Sequence, residues 1–182
     1  MERPAGGRIV YLGAERVGLA CLKGLVDAGK NVAGVVTAHD DLKDTIADWV
    51  SFEEYAQETG LPLFKVKSCR RPELVQQIAD LRPDVICVIS WSMILPPAIL
   101  ALASRGTVAI HYSFLPERRG GAPLSWALID GLSSSGITLF YMDEGIDTGD
   151  IIAQRSFEIT ETDTVKDLLD KIVELAPGLL VQ

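Results

Sequence analysis

His111 closes the apolar run Thr107-Val108-Ala109-Ile110-His111 and is followed at once by a loop carrying Pro116, Arg118, Arg119, Gly120 and Gly121. An imidazole at the end of a β-like run, walled by a Pro- and Gly-bearing loop, is placed to move a proton beside a bound ligand. The chain's other histidine, His39, lies in a polar stretch and lacks that setting. A partner for His111 is available further on, in Asp143-Glu144-Gly145-Ile146-Asp147-Thr148-Gly149-Asp150. Those carboxylates cannot all meet one imidazole. Asp147, in the middle of the loop, is predicted to orient His111, stabilise its imidazolium and take part in proton transfer, directly or through water. Asp150 reads equally as a cap or strand-edge residue, and Asp143 and Glu144 as solvated turn residues. Ala109 departs from the pattern, because a methyl group stands where a polar side chain would serve the chemistry.

Positioning such a site requires a sheet. Arg8 to Gly13 reads as a buried strand, residues 15 to 28 as a helix ended by Gly29, and Asn31 to Thr37 as a second strand. The alternation continues with a helix near Phe52 to Thr59, a strand around Leu63 to Val66, a helix from Pro72 to Leu81, a strand Val85 to Ile89, a short helix over 96 to 103 and the strand Thr107 to His111. Repetition of this βαβ kind predicts an α/β fold: a Rossmann-like, open, mostly parallel twisted sheet with helices on both faces. Beyond it, Ile137 to Met142 and Ile151 to Phe157 read as strands flanking the acidic loop, the latter near a sheet edge. Thr160 to Asp163 offers a cap for an amphipathic helix over Val165 to Leu175. The polar segment 38 to 50 is expected to be a mobile loop.

At 182 residues, 48% hydrophobic and 23% charged, the chain has the balance of one globular domain with a substantial core. No apolar run approaches a membrane span, and Met1 to Arg8 lacks the apolar stretch of a signal peptide, so a cytoplasmic setting is expected. Cys21, Cys69 and Cys87 show no metal or redox spacing and read as buried thiols, with neither disulfides nor zinc predicted. A net charge of -8 argues against a large nucleic-acid footprint. The basic pairs Arg70-Arg71 and Arg118-Arg119 can each hold one small anion. Gly13-Ala14-Glu15-Arg16-Val17-Gly18 follows the first strand like a dinucleotide fingerprint, but Glu15 stands where a second glycine is needed and would meet pyrophosphate with bulk and the wrong charge.

Taken together these residues resemble the formyltransferases that use 10-formyltetrahydrofolate, which include methionyl-tRNA, glycinamide ribonucleotide and sugar-nucleotide N-formyltransferases. Members carry Asn-x-His, then after one residue Ser-Leu-Leu-Pro, then Arg-Gly and Pro, and later Gly-Val-Thr and an Asp-x-Gly-x-Asp-x-Gly loop. The counterparts here are Ala109-Ile110-His111, Ser113-Phe114-Leu115-Pro116, Arg119-Gly120, Pro123, Trp126, Gly136-Ile137-Thr138 and Asp143 through Asp150, and the similarity runs from the first strand to about Asp163.

The resemblance implies a one-carbon transferase without a metal: an amine attacks the formyl carbon of 10-formyltetrahydrofolate, a tetrahedral oxyanion forms, and the folate nitrogen leaves. It implies His111 and Asp147 as catalytic residues, with Ala109 at the position of the family's asparagine. The folate is expected between the loop of Ser90, Trp91, Ser92, Met93, Ile94 and Leu95 and the loop of Asp143, Gly145 and Asp147. The acceptor is expected near Ser113, Pro116, Arg118, Arg119, Gly120 and Gly121. Alanine cannot donate a hydrogen bond to an oxyanion, and loss of one such donor typically lowers rate by about 100 to 1,000-fold. The acidic balance favours a nucleotide-linked amino sugar as acceptor, with tRNA as the alternative. A formyltetrahydrofolate hydrolase or a catalytically impaired folate-binding module is the other alternative. The apolar, abrupt ending Leu175 to Gln182 suits the N-terminal, catalytic part of a longer protein.

Overall fold

Short runs rich in valine and isoleucine form the strands, and amphipathic stretches between them form the helices. The computed structural model describes residues 7–182, so the part of the signal-peptide reading that falls on Met1 to Gly6 lies outside the described residues. Five strands, β1 (Ile9–Leu12), β2 (Val32–Ala38), β3 (Leu63–Val66), β4 (Val85–Val88) and β5 (Thr107–His111), run parallel. β6 (Ser134–Tyr141) adds antiparallel to β5 and β7 (Ile151–Glu158) antiparallel to β6, completing a seven-stranded sheet ordered β3-β2-β1-β4-β5-β6-β7.

Side chains alternate across this sheet, and both faces are apolar, as a parallel sheet covered by helices requires. Tyr11, Val35, Cys87, Val108 and Ile110 share one core with α1 (Arg16–Asp27), α5 (Pro123–Ile129) and α6 (Val165–Val181). Val10, Leu12, Val36, Val88 and Ala109 share the other with α3 (Pro72–Asp80) and α4 (Pro97–Leu100). A further helix, α2 (Glu53–Thr59), sets Phe52 into the first core. The α/β architecture predicted from the strand and helix alternation is therefore present. All three cysteines are buried, and burial pushes the Cys87 thiol up to about 12. Among the described residues no helix is long and apolar enough to cross a membrane.

Three local expectations are corrected. α6 continues past Leu175 to Val181 through Pro177. Leu168, Ile172, Ala176 and Leu179 bury one face of it, and Pro177 packs so closely on Gly24 of α1 that a Cβ there would lie 2.8 Å from the ring. Tertiary burial thus outweighs the hydrogen bond that proline removes. The helix is capped by Thr164 and Asp167 in a reciprocal capping box, whereas Asp163 accepts the Thr160 N–H and pairs with Lys171. The segment expected to be a mobile loop is structured: Asp40–Thr45 is a 3-10 turn, Trp49 bridges to Glu15, and Arg16 pairs with Asp48.

Candidate active site

The chain leaves β1 toward β2 on one side and returns to β4 on the other, so the strand order reverses between β1 and β4. Open α/β sheets bind ligands outside the carboxyl ends of the strands at such a point. A cleft of about 490 Å3 lies there, lined by Glu15 after β1, Ser90 and Trp91 after β4, His111 and Tyr112 at the end of β5, and Met142 after β6.

His111 is 9% exposed. Its Nε2 donates to the Arg118 carbonyl at 2.8 Å, and Nδ1 lies 3.5 Å from Asp147 Oδ2. Because Nε2 already holds its proton against a carbonyl, Nδ1 is the nitrogen free to gain or lose one, and the Asp147 carboxylate faces the charge that results. The turn that supplies the Arg118 carbonyl is anchored underneath. Thr138, opposite His111 in the β5–β6 register, donates to the Ser113 carbonyl at 2.6 Å and accepts from the Leu115 N–H at 3.1 Å and from Gln154 Nε2 at 2.9 Å. A buried polar group satisfied this fully holds its surroundings in one arrangement.

Asp147 sits in the left-handed region at φ 52°, a strained conformation for a non-glycine residue. Two contacts hold it there: the Gly120 N–H donates to Oδ2 at 2.8 Å, and Arg119 Nε donates to its carbonyl at 2.9 Å. Within the same loop Asp143 accepts from the Gly145 N–H at 2.9 Å and from Thr148 Oγ1 at 2.6 Å. The Thr148 hydrogen bond is the main reason its carboxyl lies below the usual range. Gly149 passes so close to Tyr141 that an added Cβ would lie 1.8 Å from its carbonyl oxygen. Glycine is therefore required for the loop to return Asp147 toward His111.

Ala109 lies two positions before His111 on β5, so both side chains point to the same face. Its methyl lines the cleft beside Val88, Phe140 and Met142. This part of the wall is apolar.

The wall beyond His111 is different. There Tyr112 hydrogen-bonds Ser90 Oγ through its phenol, and burial pushes that phenol well above its ordinary value. Glu15 is raised to about 7, first by burial and second by the neighbouring Asp48. A carboxyl raised on folding contributes stability fully present below its unfolded value, near 4.5, and lost as pH rises through about 7. Glu15→Gln is therefore expected to match the parent melting temperature at pH 4 and to exceed it at pH 8. Scanning calorimetry at the two pH values checks this, and equal differences would contradict it.

Of the residues singled out from the sequence, His111, Asp147, Ala109, Trp91 and Gly120 meet in this cleft. Met93 and Leu95 pack into the core below it, whereas Ser92 is exposed and Ile94 is 80% exposed. Asp143 and Gly145 shape the acidic loop from its solvent side. Ser113 is buried with its hydroxyl donated to the Glu117 carbonyl, and Pro116 is exposed and follows a cis peptide bond. Arg118, Arg119 and Gly121 line an adjoining cleft with Trp126, and Arg118 pairs with Asp130 at 2.8 Å.

Sequence reasoning passed over Glu15, Tyr112, Ser125, Phe140 and Met142 as parts of one wall, whereas Ser90, expected in the folate pocket, does line it. The position of Glu15 and Met142 just after strands was the available signal. The reading of His39 is also corrected, since it follows β2 directly and lines a separate cleft with Lys65, Lys67 and Arg71. In that cleft Lys65 pairs with Asp40 and Glu53, and Lys67 with Asp41, so the local charge is largely balanced. Among the described residues no group of three or more His, Cys, Asp or Glu side chains is arranged to hold a metal ion.

Comparison with known proteins bears on what this geometry is for. The model of a family described as formyl transferase matches residues 8–182. The methionyl-tRNA formyltransferase of Clostridioides difficile is 35% identical over 175 residues, covering 95% of this chain and 57% of that protein. The enzyme of the same name from Caldanaerobacter subterraneus subsp. tengcongensis is 38% identical over 177 residues, again covering 95% of this chain and 57% of its own length. The chain thus spans a little over half the length of these curated relatives. Among solved structures, the phosphoribosylglycinamide formyltransferase of Bacillus halodurans superposes with a TM-score of 0.79 at 25% identity, covering 96% of this chain and 93% of that one.

Proposed function

This chain belongs to the formyl transferase family, and from that premise we propose that it transfers a formyl group from 10-formyltetrahydrofolate to the α-amine of methionyl-tRNA. The observation that carries the chemistry is His111 Nδ1 facing Asp147 Oδ2 across 3.5 Å at the strand switch point. The acceptor reading is supported by the relatives, which are methionyl-tRNA formyltransferases at 35% and 38% identity.

The amino-sugar acceptor expected from the acidic balance is corrected by those same relatives. A net charge of -8 is a property of a chain that spans 57% of the relative's length. It therefore weighs only part of the surface that such a protein presents to nucleic acid.

In the reaction the amine nitrogen attacks the formyl carbon and the bond from that carbon to the folate nitrogen breaks. One proton leaves the amine and one reaches the departing nitrogen. His111 carries that proton at Nδ1, and Asp147 stabilises the imidazolium during the passage. Val88, Phe140 and Met142 supply apolar wall for the flat ring of the donor, next to Trp91. Ala109 offers no hydrogen bond to the developing oxyanion, so slow turnover is part of this reading. A folate-binding module with little turnover is the second reading, favoured by the same methyl group.

The test is to incubate the chain with 10-formyltetrahydrofolate and methionyl-tRNA, to follow formylmethionyl-tRNA, and to titrate 5-formyltetrahydrofolate separately as a binding probe. Folate binding with slow transfer is the expected result. Folate binding with no transfer, even with asparagine at 109, selects the binding module, and absence of folate binding overturns both.

A further inference from the structure

The cleft wraps around the ends of β4 and β5, and its two sides differ in chemistry. On the face shared by Ala109 and Val88 the wall is apolar, whereas on the opposite face it is made by Glu15, Ser90 and Tyr112. If the flat donor ring occupies the apolar side, the acceptor must reach His111 from the polar side, past Glu15.

Glu15 is a half-buried carboxyl whose needs the protein does not meet. It precedes α1 without making a side-chain cap hydrogen bond, and among the described residues its carboxylate has no hydrogen-bond or ion-pair partner, although its backbone bridges to Trp49 and accepts from the Leu19 N–H. Its sequence neighbour Arg16 is engaged elsewhere, paired with Asp48 at 3.2 Å and with Asp170. The Tyr112 phenol is engaged by Ser90. Asp48, the charged group acting on Glu15, is of like sign. A carboxyl left this way is unfavourable when ionised unless a cation arrives to pair with it.

Resting on the formyl-transfer reading above, we propose that Glu15 is a specificity-determining residue that receives the acceptor as its ammonium ion and selects against acceptors carrying a phosphate close to the amine. The aminoacyl ester of a nucleic acid fits this class, because its amine is separated from the nearest phosphate by the ribose. A phosphate beside the amine would meet Glu15 and Asp48 together. The step is balanced: the ammonium and the Glu15 carboxylate give the neutral amine and the Glu15 carboxylic acid, and the acid later releases its proton to solvent. The charged and titratable groups facing this exchange are Asp48, Tyr112 and, through Asp48, Arg16. Acceptor binding is therefore expected to strengthen as pH rises toward 7 and Glu15 ionises.

A stable acceptor probe is 3′-amino-3′-deoxyadenosine carrying methionine in amide linkage, compared with its N-acetylated counterpart, which has no ammonium. Calorimetric titration of the parent chain is expected to favour the free amine by about tenfold, the ratio of a charge-assisted hydrogen bond kept or lost. Glu15→Gln is expected to bind both probes alike, Glu15→Asp to recover part of the preference, and binding of 5-formyltetrahydrofolate to stay unchanged in every variant. Retention of the full preference by Glu15→Gln, or no preference in the parent chain while the folate still binds, overturns the role of Glu15. Failure of the folate probe to bind the parent chain overturns the formyl-transfer reading itself, and the two failures are thereby told apart.

Discussion

Ala109→Asn is expected to raise kcat for formyl transfer by about 100- to 1,000-fold, the amount usually lost when one oxyanion donor is removed. Ala109 and His111 project from the same face of β5 into one cleft, so a carboxamide at 109 would stand beside the imidazole where charge develops on the formyl oxygen. Ala109 is 8% exposed and its neighbours Val88, Phe140 and Met142 line open cleft, so the larger side chain has space on the cleft side. The gain should appear in kcat, because the donor's interaction strengthens only as the oxyanion forms, while the affinity for 5-formyltetrahydrofolate changes by less than about threefold. Steady-state kinetics with methionyl-tRNA checks this. A folded Ala109→Asn protein that binds folate and transfers no faster would show that position 109 does not limit the rate.

In that asparagine background, His111→Ala is expected to lower kcat by about 100- to 10,000-fold, the range for loss of a positioned acid–base group. The imidazole is held from two sides, by the Arg118 carbonyl on Nε2 and Asp147 on Nδ1. No other side chain lining the cleft offers an imidazole, and Glu15 sits on the far wall. Asp147→Asn should lower kcat less, since the amide keeps the Gly120 N–H contact but no longer balances the imidazolium. Combining the two changes should give less than the product of the single effects, because the pair acts as one unit. Full additivity in log kcat would show that Asp147 does not act through His111.

The path from residues to site was legible in parts. Strand positions such as Val85 to Val88 and Thr107 to His111 could be read because fully buried parallel strands are continuous apolar runs. The His111–Asp147 proximity was legible from a strand end followed by a Pro- and Gly-bearing loop and from an acidic Gly-containing loop. The Thr164 cap and the full length of α6 were less so, since Pro177 signals a stop and only its seat against Gly24 explains the continuation. The acceptor was misjudged because net charge is a whole-chain quantity, whereas recognition depends on where a few charges stand.

By itself, then, the sequence determined the alternation of strands and helices, the buried thiols and the two segments that meet at His111 and Asp147, because periodicity and loop chemistry are local properties. Only the tertiary structure decided that Glu15, Ser90 and Tyr112 form one wall opposite Ala109. Those residues follow β1, β4 and β5, and they become neighbours through the crossover connections that place β4 between β1 and β5 in the sheet. Adjacency of that kind is set by packing, and no stretch of sequence short enough to show a pattern contains it.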